Sequence, residues 1–311
     1  MLQASAIRIG TRGSPLALVQ ARLVRSLLMA AHGLPEARIA IEIIKTSGDR
    51  IQDRPLSEVG GKGLFTKELE EALTARGVDL AVHSAKDMST RLPDGLAIGA
   101  LLEREDVRDA FISSKYASLA AMPAGAVVGT SSLRRQAQVK RLRPDLQVVG
   151  FRGNVETRLA KLEAGVADAT FLAAAGLKRL GQAHRVTRLV PTNEMLPAVA
   201  QAAIAIEIRA DDRATRALVA PLDHAPTSVC LAAERAFLAR LDGSCRTPIA
   251  GLATVVDGVL HFAGEILLPD GSAAHAIERQ GTIAHAGKLG DDCGAALIEL
   301  AGREFMRKIT S

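Results

Sequence analysis

The chain has 311 residues, 48% of them hydrophobic and 23% charged, enough for two or three domains with substantial cores and too apolar for a disordered polyelectrolyte. Trp is absent and Tyr occurs once, which argues against stacking platforms for single-stranded nucleic acid, and the net charge is only +5. Cys230, Cys245 and Cys293 lack C-x-x-C or Cys/His spacing and no apolar run reaches about 18 residues, so neither a disulfide framework, a structural metal nor a membrane span is expected. The first twenty residues lack the order of a secretory signal, and a cytoplasmic location is the expectation.

In chain order, residues 6–10 read as a strand, the turn Thr11-Arg12-Gly13-Ser14-Pro15 follows, and a helix runs over about 16–32. A strand at 39–46, a helix at 64–76, and strands at 79–83 and 97–102 complete a first α/β unit. The segment from 103 to 200 repeats the pattern, with strands at 126–129, 147–150 and 169–172. Residues 198–209 return the chain to the first domain. The tail holds a helix at 228–240, strands within 251–257, 259–267 and 274–283, and a last helix from about 291. Alternating strands and helices predict mostly parallel sheets whose ligands sit beyond the strand C-termini, where Arg12, Lys62, Lys86 and Asp87 fall. Domain 1 is expected over 1–102 with about 200–222, domain 2 over 103–199, and an α+β domain 3 over 223–311.

Residues 130–160 carry seven Lys/Arg against two acids. Two of the seven, Arg134 and Arg135, fall in the first turn of a helix, where the macrodipole disfavours cations, so an anionic ligand across that helix start is expected. Arg152 and Arg158 occupy a second strand-turn-helix unit of the same kind. Arginine's planar fork suits carboxylates, although base composition also explains much of the 29 arginines against 10 lysines.

Three further stretches have two readings each. The loop 79–88, DLAVHSAKDM, offers Asp87 as an acid facing a basic cleft, or is a surface turn. Gly60-Gly61-Lys62-Gly63 is an anion site, or a flexible loop packed on the sheet, and it lacks the phosphate-loop spacing. Cys245, beside Arg246, is a reactive thiol or an inert small residue.

Eight ordered blocks together resemble the porphobilinogen deaminase (hydroxymethylbilane synthase) family over nearly the whole chain. They are TRGSPLALVQA at 11–21, VGGKGLFTKELEEAL at 59–73, DLAVHSAKDM at 79–88, EREDVRDAF at 103–111, VGTSSLRRQ at 128–136, FRGNVETRL at 151–159, AGLKRLG at 175–181 and GSCRTPIAG at 243–251. The resemblance implies two periplasmic-binding-protein-like lobes with a hinged cleft, plus a small C-terminal α+β domain bearing a dipyrromethane cofactor as a thioether, here on Cys245. It implies four rounds of porphobilinogen addition with loss of ammonia, hydrolytic release of hydroxymethylbilane, a monomer, and no nucleic-acid or membrane partner.

By the same resemblance Asp87 is the catalytic acid and Phe65 packs on the cofactor. Arg12, Ser14, Lys62, Lys86, Ser132, Arg134, Arg135, Arg152 and Arg158 hold carboxylates, and Arg179 is a further basic group near the substrate. The chain departs from the family's usual pattern at Ala200-Gln201-Ala202, where Gly-Gln-Gly is common, at Ser244 before the cysteine, and at Ser89 after Met88. Backbone freedom at residues 200 and 202 is therefore in question. Two other functions compete: a non-catalytic two-lobed binder of small dicarboxylates, which leaves Cys245 without a role, and a nucleic-acid binder built on the basic run, whose affinity would fall steeply with salt.

Overall fold

A computed structural model of the protein describes residues 6–50, 63–243 and 247–310. The elements run β1 (Ile7–Thr11), α1 (Pro15–His32), β2 (Ile39–Ile43), α2 (Ser47–Arg50), α3 (Lys67–Thr74), β3 (Leu80–Ser84), β4 (Leu96–Leu101), β5 (Asp109–Ile112), β6 (Val127–Gly129), α4 (Leu133–Leu142) and β7 (Gln147–Val149). They continue through α5 (Val155–Glu163), β8 (Ala169–Ala173), α6 (Ala174–Arg179), β9 (Arg188–Val190), β10 (Ile204–Arg209), α7 (Arg213–Val219), α8 (Ala225–Arg240), β11 (Ile249–Val256), β12 (Val259–Leu267), β13 (Ala274–Thr282) and α9 (Ala286–Thr310). Gly302 breaks α9 with a φ of 74°.

Local chemistry sets several of these boundaries. Ser14 caps α1 by accepting from the Ala17 amide at 3.3 Å, Pro15 occupies the first helical position, and Gly33 ends the helix at φ 63°. Ser132 and Asn154 cap α4 and α5 in the same way.

Two compact units emerge. The first holds the sheet β2-β1-β3-β10-β4. Val24 and Leu28 of α1 pack with Ile9, Leu80, Val82, Ile204 and Ile206 on one face, and Leu69 and Leu73 of α3 pack with Ala81 and Leu96 on the other. The second unit holds the sheet β7-β6-β8-β5-β9 and the three-stranded sheet β11-β12-β13. In its larger sheet Phe111 and Phe171 meet edge to face at 5.4 Å, and in its smaller one Phe237 of α8 meets Phe262 at 4.9 Å.

The expectation of mostly parallel sheets is corrected. In the first sheet β1 runs parallel to β2 and β3, but β10 is antiparallel to both β3 and β4. The second repeats the plan: β6 is parallel to β7 and β8, and β5 is antiparallel to β8 and β9. Both sheets are therefore mixed, because a strand from a later stretch of chain inserts beside β3 and the unexpected strand β5 inserts beside β8. β10 is buried along its whole length, which explains its near-continuous apolar sequence, Ile-Ala-Ile-Glu-Ile-Arg.

Candidate functional site

In the first unit the ends of β1 and β3 deliver their following residues to one small cavity of about 60 Å³, lined in part by Arg12, Ser14, Phe65, His83, Ser84 and Asp87. Arg12 leaves β1 just before the α1 cap, so helix and strand fix its backbone. Its guanidinium lies 4.2 Å from the centre of the Phe65 ring, a cation–π contact. Phe65 is pinned from behind by Gly48: a β-carbon there would lie 2.3 Å from the ring, so only glycine permits this approach.

Asp87 closes a single 3-10 turn, Ala85–Asp87, that follows β3, with Lys86 beside it in that turn. Ser84, the last residue of β3, exchanges hydrogen bonds with the buried Gln20 amide of α1, at 2.9 and 3.2 Å. A carboxylate, a guanidinium, hydroxyls and an aromatic face thus converge on one concave surface. Four residues expected from the sequence, Arg12, Ser14, Phe65 and Asp87, meet there. Lys62 and Cys245 lie outside the described residues.

In the second unit the outcome differs. Arg134 and Arg135 are only 4% and 5% exposed, and both bind Asp109, which is fully buried. Arg134 Nη2 donates to Asp109 Oδ2 at 2.7 Å and Arg135 Nη2 to Oδ1 at 2.7 Å. Arg134 Nη1 donates to the Leu196 carbonyl and Arg135 Nη1 to the Phe171 carbonyl, and Gln201 Nε2 adds a bond to Asp109 Oδ1 at 3.0 Å. Burial alone would raise the Asp109 pKa, but the two guanidiniums outweigh it and hold the carboxyl well below the usual range.

In the structure the carboxylate held by these two arginines of the α4 first turn is Asp109. The sequence reading missed it because β5, which carries Asp109 into the sheet interior, went unassigned. Alternation weakens in Asp-Ala-Phe-Ile, a four-residue strand buried on both faces.

The other predicted binding residues stand at a helix cap, a turn and on helices. Ser132 accepts from the Arg135 amide as the α4 cap. Arg152 follows β7, its carbonyl accepting from Lys161 Nζ at 2.9 Å, and Arg158 stands on α5. Both side chains are half-buried. Arg179, at the end of α6, donates to the Ala202 carbonyl at 2.8 Å.

Ala202 and Ala200 hold left-handed backbone, at φ 75° and 59°, so the conformation that favours glycine is retained by alanine. The surrounding contacts enforce it: the Ala200 amide donates to Glu234 Oε2 at 2.6 Å, and Gln201 Nε2 donates to the Val107 carbonyl at 2.8 Å.

His83, Ser84 and Asp109 have no individual role in the sequence reading. Only the polar run His-Ser-Ala-Lys-Asp after an apolar strand pointed to the first two. Among the described residues no group of three potential ligands could hold a metal ion, and no helix is long and apolar enough to cross a membrane.

Comparison with known proteins adds the family. A family model described as porphobilinogen deaminase, dipyromethane cofactor binding domain, matches residues 7–217, and one for the porphobilinogen deaminase C-terminal domain matches 228–299. The porphobilinogen deaminase of Paracoccus denitrificans is 58% identical over 299 residues, 96% of each chain. That of Nitrobacter hamburgensis is 59% identical over 297 residues, 96% of this chain and 94% of that one. Among solved structures, a periplasmic substrate-binding protein of an ABC transporter from Coxiella burnetii matches 70% of this chain and 91% of its own at 14% identity and a TM-score of 0.44. The methionine-binding protein MetQ matches 70% and 89% at 13% identity and a TM-score of 0.45.

Proposed function

The chain belongs to the porphobilinogen deaminase family, and we propose that it joins four porphobilinogen units, with release of ammonia, into hydroxymethylbilane on a covalent dipyrromethane primer. Its function is that of porphobilinogen deaminase (hydroxymethylbilane synthase) in tetrapyrrole biosynthesis, and it has a dipyrromethane cofactor-binding domain.

The cavity shared by Arg12, Phe65, Ser84 and Asp87 carries the residue assignment. Its chemistry fits linked pyrroles with acetate and propionate arms: a carboxylate for the ring N–H, a guanidinium and hydroxyls for the acids, and an aromatic ring for packing. When bound, the dipyrromethane supplies the free pyrrole α-carbon from which the chain is extended.

Asp87 accepts the pyrrole N–H of porphobilinogen and stabilises the positive charge that develops as ammonia leaves. In the first unit Arg12, Ser14, Lys62 and Lys86 bind carboxylates, and Phe65 packs against the cofactor. In the second unit Ser132, Arg152 and Arg158 bind carboxylates and Arg179 adds positive charge. Arg134 and Arg135 serve the same task in exchange with Asp109, the carboxylate they hold in the structure. Cys245 carries the thioether. The protein works as a cytoplasmic monomer, without a nucleic-acid or membrane partner.

Intact mass after incubation with porphobilinogen tests this reading. Wild type gains two pyrrole units that survive denaturation, and Cys245→Ser does not. A wild-type mass equal to that of the bare polypeptide refutes it.

A further inference from the structure

Glu68 stands in the first turn of α3, where a carboxyl group ordinarily serves its own helix. Here it reaches out of the helix. Its Oε1 accepts from the Ser47 amide at 2.7 Å and from the Ser47 hydroxyl. The next residue continues the contact, the Gly48 amide donating to the Leu64 carbonyl at 2.8 Å. Leu64 and Glu68 flank Phe65 in the chain, so these bonds lay Ser47 and Gly48 along the turn that carries Phe65, with Gly48 against the ring.

The other end of the same stretch is tied to β1. The Ile44 amide donates to the carbonyl of Thr11, the residue before Arg12, at 2.8 Å. Between the two ties Thr46 is fully buried. Residues 44–48 therefore bridge the two partners of the Arg12–Phe65 contact, anchored beside the guanidinium at one end and on both sides of the ring at the other. Glycine loses more backbone freedom on being ordered than any other residue, so the place of Gly48 against the ring needs firm neighbours. The Gly48–Leu64 bond is one anchor and the Ser47–Glu68 pair is the other.

We propose that Glu68 is a positioning residue for the cofactor-packing ring: through Ser47 it clasps residues 47 and 48 against Phe65 and so sets the Arg12–Phe65 contact in the wall of the Asp87 cavity. This rests on the assignment of Phe65 above. The clasp works by accepting hydrogen bonds, whereas an acid that merely favours its own helix start works by charge. The two roles predict different variants.

The test is a double-mutant cycle between Glu68→Ala and Phe65→Leu. It is read by the rate at which the full chain gains two pyrrole units in intact mass on incubation with porphobilinogen, by kcat/KM of the loaded enzyme, and by urea unfolding. Glu68→Ala slows loading and lowers kcat/KM about tenfold in the wild-type background. In the Phe65→Leu background it changes both by less than about twofold, although it still lowers the unfolding midpoint. Glu68→Gln stays within about twofold of wild type, because its amide oxygen still accepts from Ser47.

A tenfold effect of Glu68→Ala that persists in the Phe65→Leu background would overturn the proposal, and so would a Glu68→Gln defect as large as that of Glu68→Ala. If Glu68→Ala does not fold, Ser47→Ala takes its place in the cycle, with a smaller effect of about threefold that again vanishes in the Phe65→Leu background. Wild-type loading and kcat/KM in Phe65→Leu alone would instead sink the Phe65 assignment, and the clasp with it.

Discussion

Arg135 and Asp109 form an ion pair, Nη2 to Oδ1 at 2.7 Å, that ties the first turn of α4 to the interior strand β5. Asp109→Asn leaves Arg134 and Arg135 buried around an uncharged amide and lowers stability by about 3–5 kcal/mol. Urea unfolding at neutral pH measures the loss. A change within error of zero would show that the guanidiniums find other partners.

The same carboxyl gives a pH signature. Its pKa is held below the ordinary value of 3.8 in the folded state, so its contribution is fully present above that pH. It is lost as pH falls below 3.8, where the unfolded chain takes up the proton first. Wild-type unfolding free energy therefore drops through that acid range, and Asp109→Asn shows a shallower drop when the two are titrated in parallel.

Asp87→Ala removes a half-buried carboxylate at the end of an isolated 3-10 turn and disturbs no core packing. Turnover falls by about a hundredfold or more while the circular dichroism spectrum and melting temperature stay close to wild type. Near-normal initial rates would exclude Asp87 from the chemistry.

Gly48→Ala sets a methyl group 2.3 Å from the Phe65 ring and 2.8 Å from the Leu64 carbonyl. The ring has to leave its place under Arg12, at about 1–3 kcal/mol in stability. Cofactor loading and kcat/KM fall more than this loss accounts for. A variant that loads normally would separate the Phe65 position from cofactor packing.

Ala200→Gly and Ala202→Gly relieve left-handed backbone at φ 59° and 75°. Relief of about 1–2 kcal/mol at each outweighs the added chain entropy of about 0.4–1 kcal/mol, leaving a modest net stabilisation. Chemical denaturation midpoints read the sign directly. A fall in the midpoint for both would mean that loss of the buried methyls dominates.

Much of this protein is legible in its sequence where short-range rules apply. Ser14-Pro15 and Gly33 mark the ends of α1 because caps and left-handed turns are local chemistry. The alternation through 259–267 matches β12 residue for residue. Arg12, Ser14, Phe65 and Asp87, singled out by motifs that lie far apart in the chain, line one cavity.

What the sequence could not settle was which groups satisfy one another. That Arg134 and Arg135 hold Asp109, some 25 residues away, depends on β5 entering the sheet antiparallel to β8. That His83 meets Glu207 depends on the register of β3 against β10, across more than 120 residues. Periodicity and capping report a residue's own backbone and its nearest neighbours along the chain. Strand order and register are fixed by burial of whole faces, and only they decide which buried charge finds its partner.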